Sequence, residues 1–198
     1  MRILILFAHP AFQKSNVNKR LIEGLENTEN ITFHDLYEQY PELDIDVKYE
    51  QKLLEEHDCI IFHFPLFWYS TPAILKEWQD LVLEHGWAFG SKGDALKDKL
   101  FFTAITTGGP MMAYHKLGRN NHTVLELLAP LVQTARLCKM IFLPPFVVHG
   151  THDIPADEIE KYRADYHQVL KIIADNKFVL DKALALENID HYLTLEEQ

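Results

Sequence analysis

The chain has 198 residues, of which 47% are hydrophobic and 24% are charged, a composition typical of one globular domain rather than of a disordered or fibrous protein. Its formal net charge of −10 argues against binding to nucleic acid, which requires clustered Lys and Arg. The two cysteines indicate a reducing compartment, and no apolar run approaches the ~20 residues that span a bilayer. We therefore expect a cytoplasmic protein.

Five segments have the pattern of β-strands. Four are continuous apolar runs, as in parallel strands that are covered on both faces, and the remaining one alternates as a half-exposed edge strand does. In chain order they are residues 3–8, 31–37 (the alternating one), 59–64, 100–105 and 140–148, the last interrupted by Pro144 and Pro145. The first run is too short for a signal peptide and predicts a strand instead.

Helical patterns lie between the strands. In chain order they cover residues 17–25, 48–56, 74–82, 123–135 and 159–173. Pro130 should kink or split the fourth of them. This alternation predicts an α/β fold with helices on both faces of a doubly wound parallel sheet, in the flavodoxin-like order 2-1-3-4-5.

We predict one domain over residues 1–175 and a helical tail over residues 176–198 that belongs to the same domain. The tail has spaced Leu and Ile residues among acids. A short docked helix and a frayed, solvated end both remain open.

The loop after the first strand has the features of an anion site. Ser15, Asn16 and Asn18 fall at a predicted helix start, where free backbone N–H groups and the positive end of the helix favour a phosphate, and Lys14 could add a further donor. The alternative is that Ser15 or Asn16 only caps the helix. The loop contains no glycine, which excludes Walker and GxGxxG turns.

The loops after the third and fourth strands would meet the loop after the first strand at the same edge of the sheet. The first of them, residues 64–69, is rich in aromatics, which would pack on a planar ligand, in an interface or in the core. The second, residues 106–110, has two threonines and two glycines, whose backbone allows a close approach to a ligand, although a plain turn is the alternative. A phosphate site, an apolar wall and a set of backbone donors together match the three parts of FMN.

These loops resemble a known family. The sequence AHP followed by S-N-x-N, the loop PLFWYSTPAILKEWQDLVLEHGWAFG, and TTGG before a tyrosine are similar to NAD(P)H:quinone oxidoreductases of the DT-diaphorase type. The similarity is closest to their short bacterial branch, which includes the ancillary flavoproteins of glutathione-regulated potassium efflux systems. It covers residues 1–170 and implies a flavodoxin-like, homodimeric flavoprotein with its active site at the dimer interface.

The resemblance also implies site residues. Cofactor contacts would come from His9, Ser15, Asn16, Val17 and Asn18 around the phosphate, from Pro65, Leu66, Phe67 and Trp68 along the ring, and from Thr106, Thr107, Gly108 and Gly109 at its polar edge. Tyr114 matches the active-site tyrosine of the family. The histidine that longer members carry six residues later is Asn120 here, so His122 is either its substitute in catalysis or a surface histidine.

The implied activity is a ping-pong transfer of two electrons from NAD(P)H, through flavin N5, to a quinone. Longer members use an extra C-terminal region to hold the adenylate half of FAD, whereas this sequence ends soon after its last predicted helix. FMN is therefore the expected cofactor, and FAD is the alternative. The rival functions are an ancillary subunit docked on a potassium efflux transporter at the inner membrane, and an azo- or nitroreductase of the same fold. We expect no metal site, since His149 and His152 lack a matching ligand cluster.

Overall fold

A computed structural model describes residues 1–196 of the chain, in which six strands form one sheet in the order β2-β1-β3-β4-β5, with β6 also paired to β4. Every pairing is parallel. The strands are β1 (Ile3–Phe7), β2 (Ile31–Asp35), β3 (Cys59–Pro65), β4 (Leu100–Thr106), β5 (Ile141–Phe142) and β6 (Phe146–Val148). The predicted order 2-1-3-4-5 is confirmed.

Helices cover both faces of the sheet. They are α1 (Asn16–Ile22), α2 (Leu36–Gln39), α3 (Val47–Glu56), α4 (Ala73–Val82), α5 (Val124–Leu127), α6 (Ala129–Leu137), α7 (Ala156–Ala174), α8 (Leu180–Leu184) and α9 (His191–Glu196). Alternate residues of β1 enter different cores: Leu4 and Leu6 pack with α3, α4 and α6, whereas Ile3, Ile5 and Phe7 pack with α1 and α7. The continuous apolar runs thus reflect burial on both faces.

The fifth predicted strand is two short strands. β5 pairs with Leu100 and Phe101, and β6 pairs with Ala104 to Thr106. Pro144 and Pro145 lie between them and have no N–H to donate to β4. Both short strands therefore pair with β4, in the place where one longer strand was predicted.

The second predicted strand is too long by two residues. It ends at Asp35, whose side chain accepts hydrogen bonds from the backbone N–H groups of Tyr37 and Glu38 and caps α2. This cap turns the chain into a helix before Tyr37.

One predicted helix is split, as expected, and another is shorter than expected. The helix expected over residues 123–135 is split into α5 and α6, and Pro130 sits in the first turn of α6, where its missing N–H costs no intrahelical bond. The helix expected over residues 17–25 ends at Ile22, because Gly24 takes a left-handed φ of 88° and starts a 3-10 turn.

The tail packs against the α7 side of the sheet. Ala183, Ile189 and Tyr192 are buried there, and the Tyr192 hydroxyl accepts a hydrogen bond of 2.8 Å from the Val179 N–H. The last two residues of the predicted tail, 197–198, lie outside the described part of the chain. Over residues 1–196, no helix is long and apolar enough to cross a membrane.

Candidate functional site

Three loops line one cavity at the carboxyl edge of the sheet. β1, β3 and β4 run side by side, so the loops that follow them emerge together, and the loop after β6 joins them. The cavity has a volume of about 410 Å³. Its lining residues are His9, Ala11, Lys14, Ser15, Asn16, Val17, Asn18, Pro65, Phe67, Thr106, Gly108, Thr151 and His152. This volume lies within the range of small-molecule sites.

The loop after β1 ends in a capped helix. The Ser15 Oγ accepts a 3.1 Å hydrogen bond from the Asn18 backbone N–H, so Ser15 is the cap of α1 as well as a lining residue. The N–H groups of Asn16 and Val17 occupy the first two helical positions, which have no intrahelical acceptor. The Val17 side chain is buried in the core, so its backbone is the part that can meet a ligand.

Buried polar groups form the floor of the cavity. The Asn18 amide nitrogen lies 3.0 Å from Ser15 Oγ and 3.2 Å from Thr106 Oγ1, and its amide oxygen lies 3.0 Å from His63 Nε2. His63 is fully buried, and this desolvation, together with the nearby His9, lowers its pKa to about 3. It is neutral at physiological pH.

The aromatic loop is divided between core and surface. Leu66 is buried in the core, whereas Phe67 lines the cavity with its ring 5.8 Å from that of His9. Trp68 and Tyr69 both have positive φ, at 51° and 63°, and Trp68 is 93% exposed. Two consecutive bulky residues in the left-handed region are unusual, and backbone strain of this kind is enriched at functional sites.

The loop after β4 is held against the loop after β6. Thr107 Oγ1 donates to the Gly109 carbonyl at 2.9 Å and lies 3.0 Å from His149 Nδ1, while the N–H groups of Gly150 and Thr151 donate to Gly109 and Thr107. Burial lowers the pKa of His149 to about 4. These bonds fix the path of the backbone beside the cavity.

Gly108 leaves space for an imidazole. A Cβ built on Gly108 would lie 2.5 Å from His152 Nε2, closer than non-bonded atoms approach. The His152 imidazole therefore lies close against Gly108, and both residues line the cavity.

Tyr114 and His122 lie outside the cavity lining. Tyr114 packs against Gly109, since a Cβ built there would lie 3.2 Å from its ring, and its ring centroid is 5.4 Å from that of His149. His122 is exposed and its Nδ1 lies 3.1 Å from the Asn120 carbonyl oxygen. The structure thus places Tyr114 beside the glycine loop and leaves His122 exposed.

The structure brings most of the expected site residues together. Those that line the cavity are His9, Ser15, Asn16, Val17, Asn18, Pro65, Phe67, Thr106 and Gly108. Those outside its lining are Leu66, Trp68, Thr107, Gly109, Tyr114 and His122. Sequence reasoning missed Ala11, Thr151 and His152; the rule that ligands bind beyond the carboxyl ends of strands could have pointed to the last two, which follow β6.

Among residues 1–196, no three His, Cys, Asp or Glu side chains form a group that could hold a metal ion. His149 is hydrogen-bonded to Thr107 and His152 lies over Gly108. These two histidines therefore belong to the walls beside the cavity.

The sequence matches a family profile described as a flavodoxin-like fold over residues 1–170. The chain therefore belongs to this family of α/β proteins. The resemblance of the chain to NAD(P)H oxidoreductases is confirmed by individual relatives. General stress protein 14 of Bacillus subtilis is 47% identical over 171 residues, which is 85% of this chain and 98% of that protein. The uncharacterized NAD(P)H oxidoreductase YrkL of Bacillus subtilis is 42% identical over 160 residues, which is 81% of this chain and 92% of that protein.

A third relative belongs to a transport system, and two solved structures share the fold. The glutathione-regulated potassium-efflux system ancillary protein KefG of Pectobacterium carotovorum is 41% identical over 169 residues, 85% of this chain and 92% of that protein. The structure of general stress protein 14 from Treponema denticola, in complex with FMN, has a TM-score of 0.83 at 38% identity and covers 87% of this chain and 99% of its own. An NADPH-quinone reductase from P. pentosaceus has a TM-score of 0.77 at 34% identity, over 85% of this chain and 96% of its own.

Proposed function

We propose that this protein is an FMN-dependent NAD(P)H:quinone oxidoreductase. The observation that carries the proposal is the single cavity of about 410 Å³ into which the loops after β1, β3 and β4 all project. A phosphate site, an apolar wall and close backbone together suit one phosphorylated, planar ligand. The FMN bound by the Treponema denticola relative supports this choice over FAD.

The residues present fit FMN. Lys14, the hydroxyl of Ser15 and the first N–H groups of α1 would hold the phosphate, since an anion is favoured where cations and free amides converge. Pro65 and Phe67 would pack on the ring, and the exposed Trp68 would extend that wall. The ring's polar edge would meet the loop of residues 106–109, of which Thr106 and Gly108 line the cavity.

Bound FMN would supply the redox chemistry, taking a hydride from NAD(P)H and delivering two electrons to the acceptor in a second half-reaction. The protein binds and orients. Tyr114, which packs against Gly109, would donate a hydrogen bond to the flavin or quinone oxygen on which negative charge develops. Its location beside the glycine loop favours it over His122 for this role, because His122 is exposed and bonded to the Asn120 carbonyl.

A homodimer would complete this site. Large apolar side chains are exposed in the loop after β3 and in the segment that follows the glycine loop, namely Trp68, Met111, Met112 and Leu117, and an interface would remove them from water. We also propose that residues 1–175 form the flavin domain and that the tail belongs to the same domain. The proposed location of the protein is the cytoplasm. Size-exclusion chromatography with light scattering distinguishes a dimer from a monomer.

The test of the activity is a pair of half-reactions. NAD(P)H added without oxygen to the FMN-loaded protein should bleach the flavin bands, and a quinone added next should restore them with one quinone reduced per flavin. Steady-state rates at several fixed quinone concentrations should give parallel double-reciprocal lines, as a ping-pong mechanism requires. Faster reoxidation by azo dyes or nitroaromatics than by quinones would make this an azo- or nitroreductase instead.

A second candidate function is an ancillary role at a potassium efflux transporter, favoured by the 41% identity to KefG. It predicts that the protein binds such a transporter at the inner membrane and raises potassium efflux. A variant unable to turn over that still activates efflux would support this role over the enzymatic one.

A further inference from the structure

A chain of hydrogen bonds runs from α7, past His63 of β3 and Asn18 of α1 on the same face of the sheet, to the cavity. The Tyr166 hydroxyl lies 3.3 Å from His63 Nδ1, and His63 Nε2 lies 3.0 Å from Asn18 Oδ1. The Asn18 amide nitrogen then reaches Ser15 Oγ at 3.0 Å and Thr106 Oγ1 at 3.2 Å. Ser15 and Thr106 line the cavity, whereas Tyr166 is fully buried behind it.

The protons in this chain of hydrogen bonds can be arranged in two ways, so that the donors point either towards the cavity or away from it. If His63 bears its proton on Nε2, it donates to the Asn18 oxygen, the Asn18 N–H₂ donates to both hydroxyl oxygens, and those hydroxyls keep their own protons for the cavity. If His63 bears its proton on Nδ1, the Asn18 amide must turn over and both hydroxyls must donate inward. The cavity then meets donors in the first case and lone pairs in the second.

Tyr166 selects between the two directions. Its side chain is fully buried, and within the described part of the chain His63 Nδ1 is the one hydrogen-bond partner of its hydroxyl. A buried hydroxyl that cannot donate costs about 1–3 kcal/mol. Since burial also keeps His63 neutral, with one ring proton, the Tyr166 O–H donates to Nδ1 and the proton resides on Nε2.

We propose that Tyr166 and His63 are positioning residues that set the proton direction of this chain, so that the Ser15 and Thr106 hydroxyls donate into the cavity. The ligand class that suits such a floor is an anionic or acceptor-rich molecule. The assignment of that ligand as FMN rests on the proposed function; the direction of the protons does not.

The first test reads the direction without any ligand. In ¹⁵N–¹H spectra of the ¹⁵N-histidine-labelled protein, identified by the signals lost in His63→Gln, the His63 ring should show a protonated Nε2 and an unprotonated Nδ1. A proton on Nδ1 would overturn the proposal. This result is independent of flavin binding, so it stands or fails separately from the proposed function.

The second test compares two substitutions on the same helix. Tyr166→Phe removes the hydroxyl that selects the direction, whereas Tyr162→Phe, four positions earlier in α7, removes a hydroxyl outside the chain of hydrogen bonds. We expect Tyr166→Phe to raise the Kd for FMN roughly 3- to 10-fold, the loss expected for about one hydrogen bond, and Tyr162→Phe to leave it unchanged. Equal Kd values for Tyr166→Phe and the unaltered protein would contradict the proposal.

A conservative replacement separates direction from packing. In His63→Gln, the amide N–H₂ can donate to Asn18 and its oxygen can accept from Tyr166, so the direction is kept and the Kd for FMN should stay within about twofold. His63→Leu can do neither and should weaken binding at least as much as Tyr166→Phe. Equal affinities of His63→Gln and His63→Leu would show that residue 63 acts by packing alone. Urea unfolding of each variant identifies any that fails to fold. In that case the His63 ring spectrum of the unaltered protein decides whether the proposal stands.

Discussion

A buried carboxylate connects the edge strand to the helices over it. Glu50 in α3 is fully buried, and its oxygens accept hydrogen bonds from His34 Nε2 at 2.7 Å, the Tyr40 hydroxyl at 2.6 Å and Trp78 Nε1 at 2.7 Å. These donors come from β2, the end of α2 and α4. One side chain therefore satisfies three groups that would otherwise be buried without a partner.

We expect Glu50→Gln to lower the free energy of unfolding by about 2–4 kcal/mol, because the new amide N–H₂ would face one of the three donors. Glu56→Gln, an exposed change on the same helix, should cost no more than about 0.5 kcal/mol. Urea unfolding followed by tryptophan fluorescence measures both. Similar stability of the two variants would contradict this account of Glu50.

At the residue scale, the sequence located the three loops but not all of the groups that face the ligand. Ser15 and the glycine loop were visible because they follow apolar runs at the edge where ligands bind. His63 was hidden inside such a run, and its partner Asn18 is 45 residues away in the chain. His152 was missed because it lies against Gly108, a contact between residues distant in the chain that local patterns do not encode.

At the scale of elements, continuous apolar runs identified the parallel strands because burial on both faces leaves no polar side. The errors fall where one side chain or a proline changes the backbone. Asp35 ends β2 by capping the next helix, and Pro144 with Pro145 divides the fifth strand. Pro130 was correctly expected to interrupt a helix, but its accommodation within the first turn of α6 depends on where α5 ends.

The tail should contribute to stability. Ile189 lies between α8 and α9, is 2% exposed and packs in the α7-side core. We expect Ile189→Ala to lower the free energy of unfolding by about 2–4 kcal/mol, as the loss of a buried aliphatic side chain does.

Leu184→Ala is the matched control, since Leu184 is in the same tail but 45% exposed. It should cost less than about 1 kcal/mol. Chemical denaturation of both variants provides the comparison, and a tail that contributes nothing would make the two indistinguishable from the unaltered chain. Neither residue lines the cavity, so FMN affinity should be the same in both.

At the scale of the whole molecule, buried histidines make stability depend on pH. The pKa values of His63 and His149 fall from 6.5 to about 3 and about 4 in the folded chain because burial disfavours their charged forms. Below pH 6.5 the unfolded chain binds protons that the folded chain does not. The stability that depends on keeping these two histidines neutral is therefore fully present above pH 6.5. It is lost as the pH falls towards their pKa values in the folded chain.

We expect the free energy of unfolding to decrease from pH 7 to pH 5.5, with each such histidine contributing a slope of at most about 1.4 kcal/mol per pH unit. His63→Gln should flatten the slope, whereas His115→Gln, a change at an exposed histidine, should not. Urea titrations at the two pH values measure the slopes. A slope unaffected by His63→Gln would mean that folding does not lower the pKa of His63.

We propose that the loops after β1, β3 and β4 together bind one flavin mononucleotide. The most direct measurement is reconstitution of the flavin-free protein with FMN, followed by gel filtration and a visible spectrum of the protein peak. We predict one FMN per chain with the absorption bands of oxidised flavin, and markedly weaker binding of riboflavin, which lacks the phosphate. A colourless protein peak, or equal affinity for FMN and riboflavin, would contradict a site in which the phosphate is held by Lys14, Ser15 and the start of α1.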